Sequence, residues 1–262
     1  MNRALSKDGT PIAYERSGRG PALILVDGAL CSRAFGPMPK LAPVLDRDFT
    51  VYTYDRRGRG ASGDTPPYAK EREVEDIAAL IREAGGSAFV VGLSSGGALA
   101  LEAAASGLAI PKVVAYEPPY VYEGSAGNGT VDHEAHLAAL VAAGDRGGAV
   151  KYFMRSMVGV PAPIVVMMQL MWWIWPKVKA VAHTLPYDAA IMNRFSVPAA
   201  RLAAIRIPTL ALHGSKTDAR LAKATRAVAD AIPGAHYRTL ARQTHNVSPR
   251  VLAPALVEFF GS

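Results

Sequence analysis

Short apolar runs alternate with longer amphipathic segments along most of the chain. In Glu71–Ala84, for example, Val74, Ile77 and Ile81 recur at the spacing that places them on one face of a helix. The predicted strands are Pro11–Arg16, Ala22–Val26, Phe49–Tyr54, Phe89–Val91, Lys112–Tyr116, Thr209–Leu212 and His236–Leu240. The helices predicted around them are Met38–Leu45, Glu71–Ala84, the segment that ends at Gly107, Arg220–Ala231 and Pro249–Phe260. Such alternation predicts an α/β fold with a mostly parallel sheet.

The alternation stops between Tyr120 and Arg206, where no strand pattern is found. Helical patches are predicted there instead, at His133–Ala143, Ala149–Val158, Ile164–Trp175 and Lys177–Thr184. The simplest interpretation is one α/β domain formed by residues 1–119 and 207–262. A helical insertion, residues 120–206, would then lie over one end of the sheet.

The segment that follows the strand Phe89–Val91 carries the clearest chemical signal. It has a G-x-S-x-G pattern from Gly92 to Gly96, followed by an Ala/Leu-rich helix. A sharp strand-to-helix turn strains the central serine, and the two glycines provide room for it. Ser94 is therefore the predicted nucleophile, and the free amide of Ser95 can stabilise negative charge at the start of the helix. The alternative is a glycine-rich turn without chemistry.

A serine nucleophile needs a base and a third group that orients the base. His245 is the predicted base, because it follows the last predicted strand and strand ends converge on the site in an open α/β sheet. Two carboxylates are candidates for the acid: Asp218, which we prefer, and Glu117. Each follows a predicted strand. Asp218 could instead cap the helix that starts near Ala219, and Glu117 could belong to a proline-rich turn.

An oxyanion hole requires two N–H donors that point at the developing charge. Ser95 is expected to supply one of them. The loop Asp27–Leu30, directly after the strand Ala22–Val26, is expected to supply the other from the N–H of Ala29. The alternative for this loop is a simple glycine turn.

The amino-acid composition limits the classes of protein to which this chain can belong. Half of the residues are apolar and 19% are charged, which is typical of a globular protein. The single cysteine, Cys31, excludes an internal disulfide, and the first residues lack the apolar core of a signal peptide, so a cytoplasmic location is expected. The longest apolar stretch, Ile164–Trp175, is too short for a membrane span.

The net charge of +7 raises the question of a nucleic-acid partner. The basic residues are spread along the chain apart from Arg56–Arg59, and no zinc-ligand spacing or RNA-binding motif accompanies them. We therefore interpret the charge as surface composition and expect neither a nucleic-acid partner nor a metal.

These features together resemble the α/β-hydrolase superfamily over almost the whole chain. The elbow around Ser94 and the chain order nucleophile, acid, histidine carry the resemblance. The segment Tyr54–Ser62 is similar to the family's D-x-R-G-x-G-x-S loop, which implies a structural pairing of Asp55 with Arg57. The resemblance implies a mostly parallel, eight-stranded sheet, a helical cap at residues 120–206, acyl chemistry and no cofactor.

Two departures from the family pattern matter. Asp27-Gly28 stands where many members have His-Gly, and an ionised Asp27 would disfavour an oxyanion unless its side chain points away or is paired. The usual position of the acid is occupied by Thr217, with Asp218 one residue further. Because some members carry their acid after the sixth strand, Glu117 remains open.

The insertion is rich in methionine and contains all three tryptophans. Methionine fills irregular apolar space, so we expect a pocket for an aromatic or aliphatic acyl group. The predicted lining residues are Leu30, Met154, Met168 and Trp172. Alternatively these residues pack the insertion against the core, or Trp172, Trp173 and Ile174 are exposed at a lipid or homodimer interface.

The favoured hypothesis is a cofactor-independent serine hydrolase that cleaves an ester, thioester or lactone of a largely apolar small molecule. A serine at the elbow, rather than an aspartate, argues against a dehalogenase or an epoxide hydrolase that forms an alkyl ester. Two alternatives remain. The same site could perform lyase, cyclase, acyl-transfer or perhydrolase chemistry, or the protein could be a non-catalytic receptor.

Overall fold

The computed structural model describes residues 1–121 and 131–261, and this part of the chain contains an eight-stranded sheet. Its strands are β1 (Asn2–Leu5), β2 (Pro11–Gly18), β3 (Ala22–Val26), β4 (Thr50–Tyr54), β5 (Phe89–Leu93), β6 (Val113–Tyr116), β7 (Thr209–Gly214) and β8 (His236–Leu240). The spatial order is β1-β2-β4-β3-β5-β6-β7-β8. Pairing is antiparallel at β1–β2 and β2–β4 and parallel from β4 to β8, which confirms the predicted mostly parallel sheet.

Helices cover both faces of the sheet. The helices of the described residues are α1 (Met38–Leu45), α2 (Lys70–Glu83), α3 (Ser95–Ala105), α4 (His133–Ala142), α5 (Arg146–Tyr152), α6 (Ala162–Leu170), α7 (Trp175–Ala180), α8 (Leu185–Ile191), α9 (Ala199–Leu202), α10 (Ala219–Ala231) and α11 (Pro249–Gly261). One apolar cluster joins the sheet to α2, α3 and α10, and a second joins it to α1 and α11. Strands buried on both faces explain why β3, β5 and β6 are almost wholly apolar.

Between β6 and β7, the described residues form helices and short helical turns, without a strand. We call residues 131–206 the cap; the part of the predicted insertion at 122–130 lies outside the described residues. Helices α4 to α7 overlap the predicted helical patches, and a π-helical turn, Phe153–Met157, continues α5. A third apolar cluster packs the cap around Phe153 and Leu185 and includes Leu30 of the sheet domain.

Two kinds of element escaped prediction. Strand β1 is short, lies at the sheet edge and buries only one of its four residues, so its pattern is weak. Helices α8 and α9 span only seven and four residues, too few to show a helical period. Within residues 1–121 and 131–261, no helix combines the length and the apolarity that a membrane span needs.

Candidate active site

The strand-to-helix turn around Ser94 is a strained elbow. Strand β5 ends at Leu93, α3 begins at Ser95, and Ser94 between them has φ 56° and ψ −127°. A side chain at Gly92 would collide with the backbone of Gly96, so the close approach of strand and helix requires glycine. The N–H of Ser94 donates to the carbonyl of Tyr116, 2.9 Å away, which ties the elbow to β6. A serine held at positive φ is strained, which agrees with the predicted role of Ser94 as the nucleophile.

The carboxylate that reaches His245 belongs to Glu117. Its Oε2 lies 2.6 Å from His245 Nδ1, and it also accepts a hydrogen bond from Thr217 Oγ1 at 3.0 Å. The second oxygen, Oε1, accepts from the backbone N–H of Gly214 at 2.8 Å. Burial by itself would raise the pKa of Glu117, but the hydrogen bonds from His245, Gly214 and Thr217 outweigh it and hold the pKa below its ordinary value. The buried carboxylate is therefore ionised at neutral pH.

The hydrogen bonds of Asp218 lead away from His245, so our proposal for the acid moves from Asp218 to Glu117. It is the N-cap of α10, where its side chain accepts from the backbone N–H of Arg220 at 2.8 Å. The Arg220 guanidinium also binds the same carboxylate, with 2.8 Å between Nη2 and Oδ2. The side chain of Asp218 is 45% exposed, whereas that of Glu117 is fully buried beside the histidine. The helix-capping interpretation of Asp218 is thus the one that describes its geometry.

The two predicted oxyanion donors flank Ser94. Ser95 is the first residue of α3, where an amide has no acceptor within the helix. On the other side, a methyl group at Gly28 would lie only 3.1 Å from Ser94 Cβ, so the loop after β3 passes directly over the nucleophile. Ala29 follows in that loop and lines the cavity at Ser94. This placement is compatible with both donors, whose role remains part of our proposal.

Two cavities of about 250 and 300 Å³ meet at Ser94 and His245. The first is bounded mainly by Val121, Phe153, Met157, Met192 and Phe195, with Asp218 and Arg220 as polar neighbours. The second is bounded mainly by Leu30, Phe35, Met154, Met168, Ile174 and Val178. Both therefore present apolar walls to a ligand at Ser94.

Three of the four predicted substrate-binding side chains, Leu30, Met154 and Met168, line the second cavity. The fourth, Trp172, does not: its side chain is 79% exposed and packs edge-on against Trp173 with ring centroids 5.7 Å apart. Helix α6 ends at Leu170, and the turn that follows directs Trp172 outward. Trp172 thus lies outside both cavities, in the exposed position that our alternative for Trp172 and Trp173 describes.

The loop after β4 does not contain the expected Asp55–Arg57 pair. Asp55 accepts hydrogen bonds from the backbone and side chain of Arg33, at 2.7 and 3.1 Å, and from the N–H of Ala61. Arg57 instead forms an ion pair with Asp76 of α2 at 2.7 Å. The chain turns directly after Asp55, so the two side chains point toward different neighbours.

Sequence reasoning missed the residues that join this loop to the cap. Arg56 Nη1 and Arg59 Nη2 lie 2.8 and 2.7 Å from the two carboxylate oxygens of Asp188, in α8. All three side chains are buried. Arginines that are buried need carboxylates as partners. The arginine-rich sequence of this loop was therefore a signal that acidic partners lie elsewhere in the chain. Nothing local identifies Asp188 as the partner.

Asp27 is the buried first residue of the loop Asp27–Leu30, which follows β3. Its Oδ2 lies against Gly36, and its Oδ1 has no hydrogen-bond partner among the described residues. Burial raises the pKa of Asp27 to about 7, against the lowering effect of the Arg59 charge. Asp27 is not among the residues that line the two cavities. A carboxyl that is partly protonated at neutral pH opposes an oxyanion at Ser94 less than a fully ionised one would.

The strained elbow, the His–Glu pair and the helical cap define the class of protein. Residues 22–257 match the model of the alpha/beta hydrolase family, and the chain belongs to this family. It is thus an enzyme of the hydrolase type. Within the described residues, no group of three or more His, Cys, Asp or Glu side chains is arranged to hold a metal ion.

Solved structures agree with this assignment. An alpha/beta hydrolase from Sphaerobacter thermophilus is 53% identical, with 99% of this chain and 100% of that chain covered and a TM-score of 0.91. An enol-lactonase from Burkholderia xenovorans is 21% identical, with 100% of both chains covered and a TM-score of 0.73. A thermophilic esterase from Thermogutta terrifontis is 20% identical, with 99% and 97% covered and a TM-score of 0.74. At such low identity, the last two show the shared fold.

Proposed function

We propose that the protein is a cofactor-independent serine hydrolase that cleaves an ester, thioester or lactone of a largely apolar small molecule. The observation that carries the proposal is the His245–Glu117 contact of 2.6 Å beside a strained Ser94, where two apolar cavities meet. A structural turn would not need an ionised, buried carboxylate aimed at a half-exposed histidine next to a serine.

The roles follow from the geometry. Ser94 attacks the carbonyl carbon, and the second nitrogen of His245 accepts the serine proton. Glu117 accepts the Nδ1 hydrogen bond, which fixes the tautomer and stabilises the imidazolium once it forms. The N–H groups of Ala29 and Ser95 stabilise the oxyanion. The alcohol or thiol then leaves with a proton from His245, and water releases the acid from the acyl-enzyme through the same histidine.

The cavities support a small substrate with apolar groups on both sides of the reacting carbonyl. Each has room for a group of a few to about ten non-hydrogen atoms, at about 20–30 Å³ per atom. The charged Asp, Glu, Lys and Arg side chains in the two linings are Asp218 and Arg220 at the first cavity, and this pair is neutralised within itself. An uncharged ester, thioester or lactone fits this environment better than a polyanionic substrate.

The test is labelling by a fluorophosphonate together with hydrolysis of p-nitrophenyl esters of increasing acyl length. We expect one adduct, on Ser94, and no adduct or turnover in Ser94→Ala. Glu117→Gln should lower kcat about 10⁴-fold, because a neutral amide neither holds the correct tautomer nor stabilises the imidazolium. Asp218→Asn is the matched comparison at the other candidate acid and should lose far less.

Reaction in H₂¹⁸O separates hydrolysis from the alternatives. One ¹⁸O atom in the released acid indicates hydrolysis, whereas acyl transfer or elimination leaves the label in water. The proposal fails if Ser94→Ala retains full esterase activity, or if Asp218→Asn is as inactive as Glu117→Gln in a folded protein.

A further inference from the structure

One carboxylate of the cap reaches both walls of the predicted oxyanion hole. Asp188 lies in α8, its side chain is fully buried, and each of its two oxygens serves a different part of the sheet domain. Oδ1 accepts from Ser95 Oγ at 2.8 Å, and Oδ2 accepts from Arg59 Nη2 at 2.7 Å. The two contacts lead to the two segments that flank Ser94.

The first connection runs through Arg59 to the loop after β3. Arg59 Nη2 binds Asp188 while its Nη1 donates to the carbonyl oxygen of Gly28, 2.7 Å away. That carbonyl and the N–H of Ala29 belong to the same planar peptide unit, so fixing one fixes the direction of the other. A charged donor on the carbonyl also polarises the peptide and strengthens its N–H as a donor.

The second connection runs through the elbow. Ser95 uses its hydroxyl to hold Asp188, while its backbone N–H is the other predicted oxyanion donor. Arg56 Nη1 lies 2.8 Å from the same Asp188 oxygen and neutralises it. Burial alone would raise the pKa of Asp188, but the charges of Arg59 and Arg56 outweigh it and keep the carboxylate ionised. Asp188 can therefore accept all of these hydrogen bonds at once.

Other contacts seat α8 firmly on the sheet domain. The ring of Tyr187 stacks on Tyr68, with centroids 3.8 Å apart and planes 2° from parallel, and its hydroxyl donates to Asp64 at 2.9 Å. Just before α8, Thr184 Oγ1 accepts from Arg59 Nε at 3.0 Å. The position of Asp188 is thus set largely by contacts outside the site itself.

We propose that Asp188 is a positioning residue that sets the direction of both oxyanion donors, so that the oxyanion hole is complete only when α8 is seated. The inference rests on the proposed serine-hydrolase function. Asp188 lines neither cavity; it acts through Arg59 on the Gly28–Ala29 peptide and through Ser95 on the elbow.

The chain offers a matched control for a purely structural ion pair. Arg57, from the same loop, binds Asp76 through two hydrogen bonds of 2.7 and 2.8 Å, and both side chains are buried. The hydrogen bonds of Arg57 lead to Asp76, to the Arg72 carbonyl and to side chains of the β1–β2 turn, away from Ser95 and the Gly28 carbonyl. Asp188→Asn and Asp76→Asn therefore each remove a buried carboxyl that an arginine of this loop binds, and only the first disturbs the oxyanion walls.

The experiment compares wild type, Asp188→Asn, Asp76→Asn and Ser95→Ala by thermal unfolding, ester kinetics and inhibition by an aliphatic trifluoromethyl ketone. We expect thermal unfolding to show that both Asn variants fold, and only Asp188→Asn to lower kcat, by about 10²-fold, with KM within about threefold of wild type. Affinity for the ketone, which presents an oxyanion when bound to serine, should fall in parallel with kcat. Ser95→Ala cuts one of the two connections and should lose about five- to tenfold in kcat.

Equal kcat losses in Asp188→Asn and Asp76→Asn, or a change in KM alone, would overturn the inference. Should Asp188→Asn not fold, Arg59→Lys decides, since lysine keeps the charge but cannot bridge Asp188 and the Gly28 carbonyl; normal kcat in both Arg59→Lys and Ser95→Ala overturns it. If wild type neither labels at Ser94 nor cleaves esters, the proposed function fails with it. If wild type labels and Asp188→Asn labels at the same rate, only this inference fails.

Discussion

Two buried aspartates, Asp188 of the cap and Asp27 at the start of the loop after β3, behave in opposite ways. Asp188 is held by two arginines and a serine hydroxyl, which keep its pKa below the ordinary value. Asp27 is almost as buried, yet one of its oxygens has no partner among the described residues, and its pKa is raised to about 7. Burial imposes the same kind of cost on both, so the partners decide the charge state.

The difference has a functional meaning for each region. In the cap, the ionised carboxylate of Asp188 holds Arg56, Arg59 and the Ser95 hydroxyl of the elbow together. At Asp27, a permanent negative charge would oppose the oxyanion of the proposed mechanism, and the raised pKa reduces that charge at neutral pH. Substitutions around Asp188 and at Asp27 should therefore differ in the size of their effect on the free energy of unfolding and in the pH dependence of that effect.

Removing one of the arginines that bind the ionised Asp188 should be severely destabilising. In Arg56→Met, both Glu73 and Asp188 lose a buried cation that lies 2.7 to 2.8 Å from their oxygens. We expect the free energy of unfolding at pH 7 to fall by about 3–5 kcal/mol, because uncompensated charges remain buried. Urea denaturation measures the change. Asp27→Asn is the comparison, and an equal loss in both variants would contradict the contrast.

The raised pKa of Asp27 should be measurable in the pH dependence of the free energy of unfolding. A raised pKa means that the folded state binds the Asp27 proton more tightly than the unfolded state. Asp27 therefore contributes stability at low pH that is lost as pH rises from about 4 to 7. Asp27→Asn should match wild type near pH 4 and exceed its free energy of unfolding by about 4 kcal/mol at pH 8, because a pKa difference of one corresponds to about 1.4 kcal/mol.

Urea midpoints at several pH values between 4 and 8 check this prediction. The matched control is Glu117→Gln, for which the sign is reversed. The pKa of Glu117 is lowered, so its ionised form stabilises the fold above the ordinary carboxyl pKa, and this advantage over Gln disappears as pH falls through the folded value. Parallel pH profiles for the two variants would argue against the assigned charge states.

The smallest effects are expected in the apolar part of the cap, where no buried charge is involved. Met168→Ala enlarges the second cavity and should shift the preferred acyl chain toward longer esters, with changes of a few-fold in kcat/KM. Trp172→Ala should leave the chain-length profile unchanged, because the indole is 79% exposed. A profile that moves with Trp172→Ala but not with Met168→Ala would show that the cavity assignment is wrong.

The fold and the strand-to-helix turn at Ser94 were predictable because they depend on local pattern. The alternation of apolar runs defines the strands, and the G-x-S-x-G turn between a strand and a helix is the basis for proposing Ser94 as the nucleophile. His245 was predicted from its place after the last strand, since parallel strands bring their carboxyl ends to one edge of the sheet. The missed strand β1 and helices α8 and α9 are too short to show a period.

What the sequence by itself determined is thus the family and the mostly parallel sheet, which follow from short-range periodicity and turn chemistry. Only the tertiary structure favours Glu117 over Asp218 as the proposed acid, because both follow a strand and only one carboxylate points at His245. It also decided that Asp188, 132 positions from Arg56, completes the arginine cluster. Charge state depends on which groups share a buried space, and chain position does not record that.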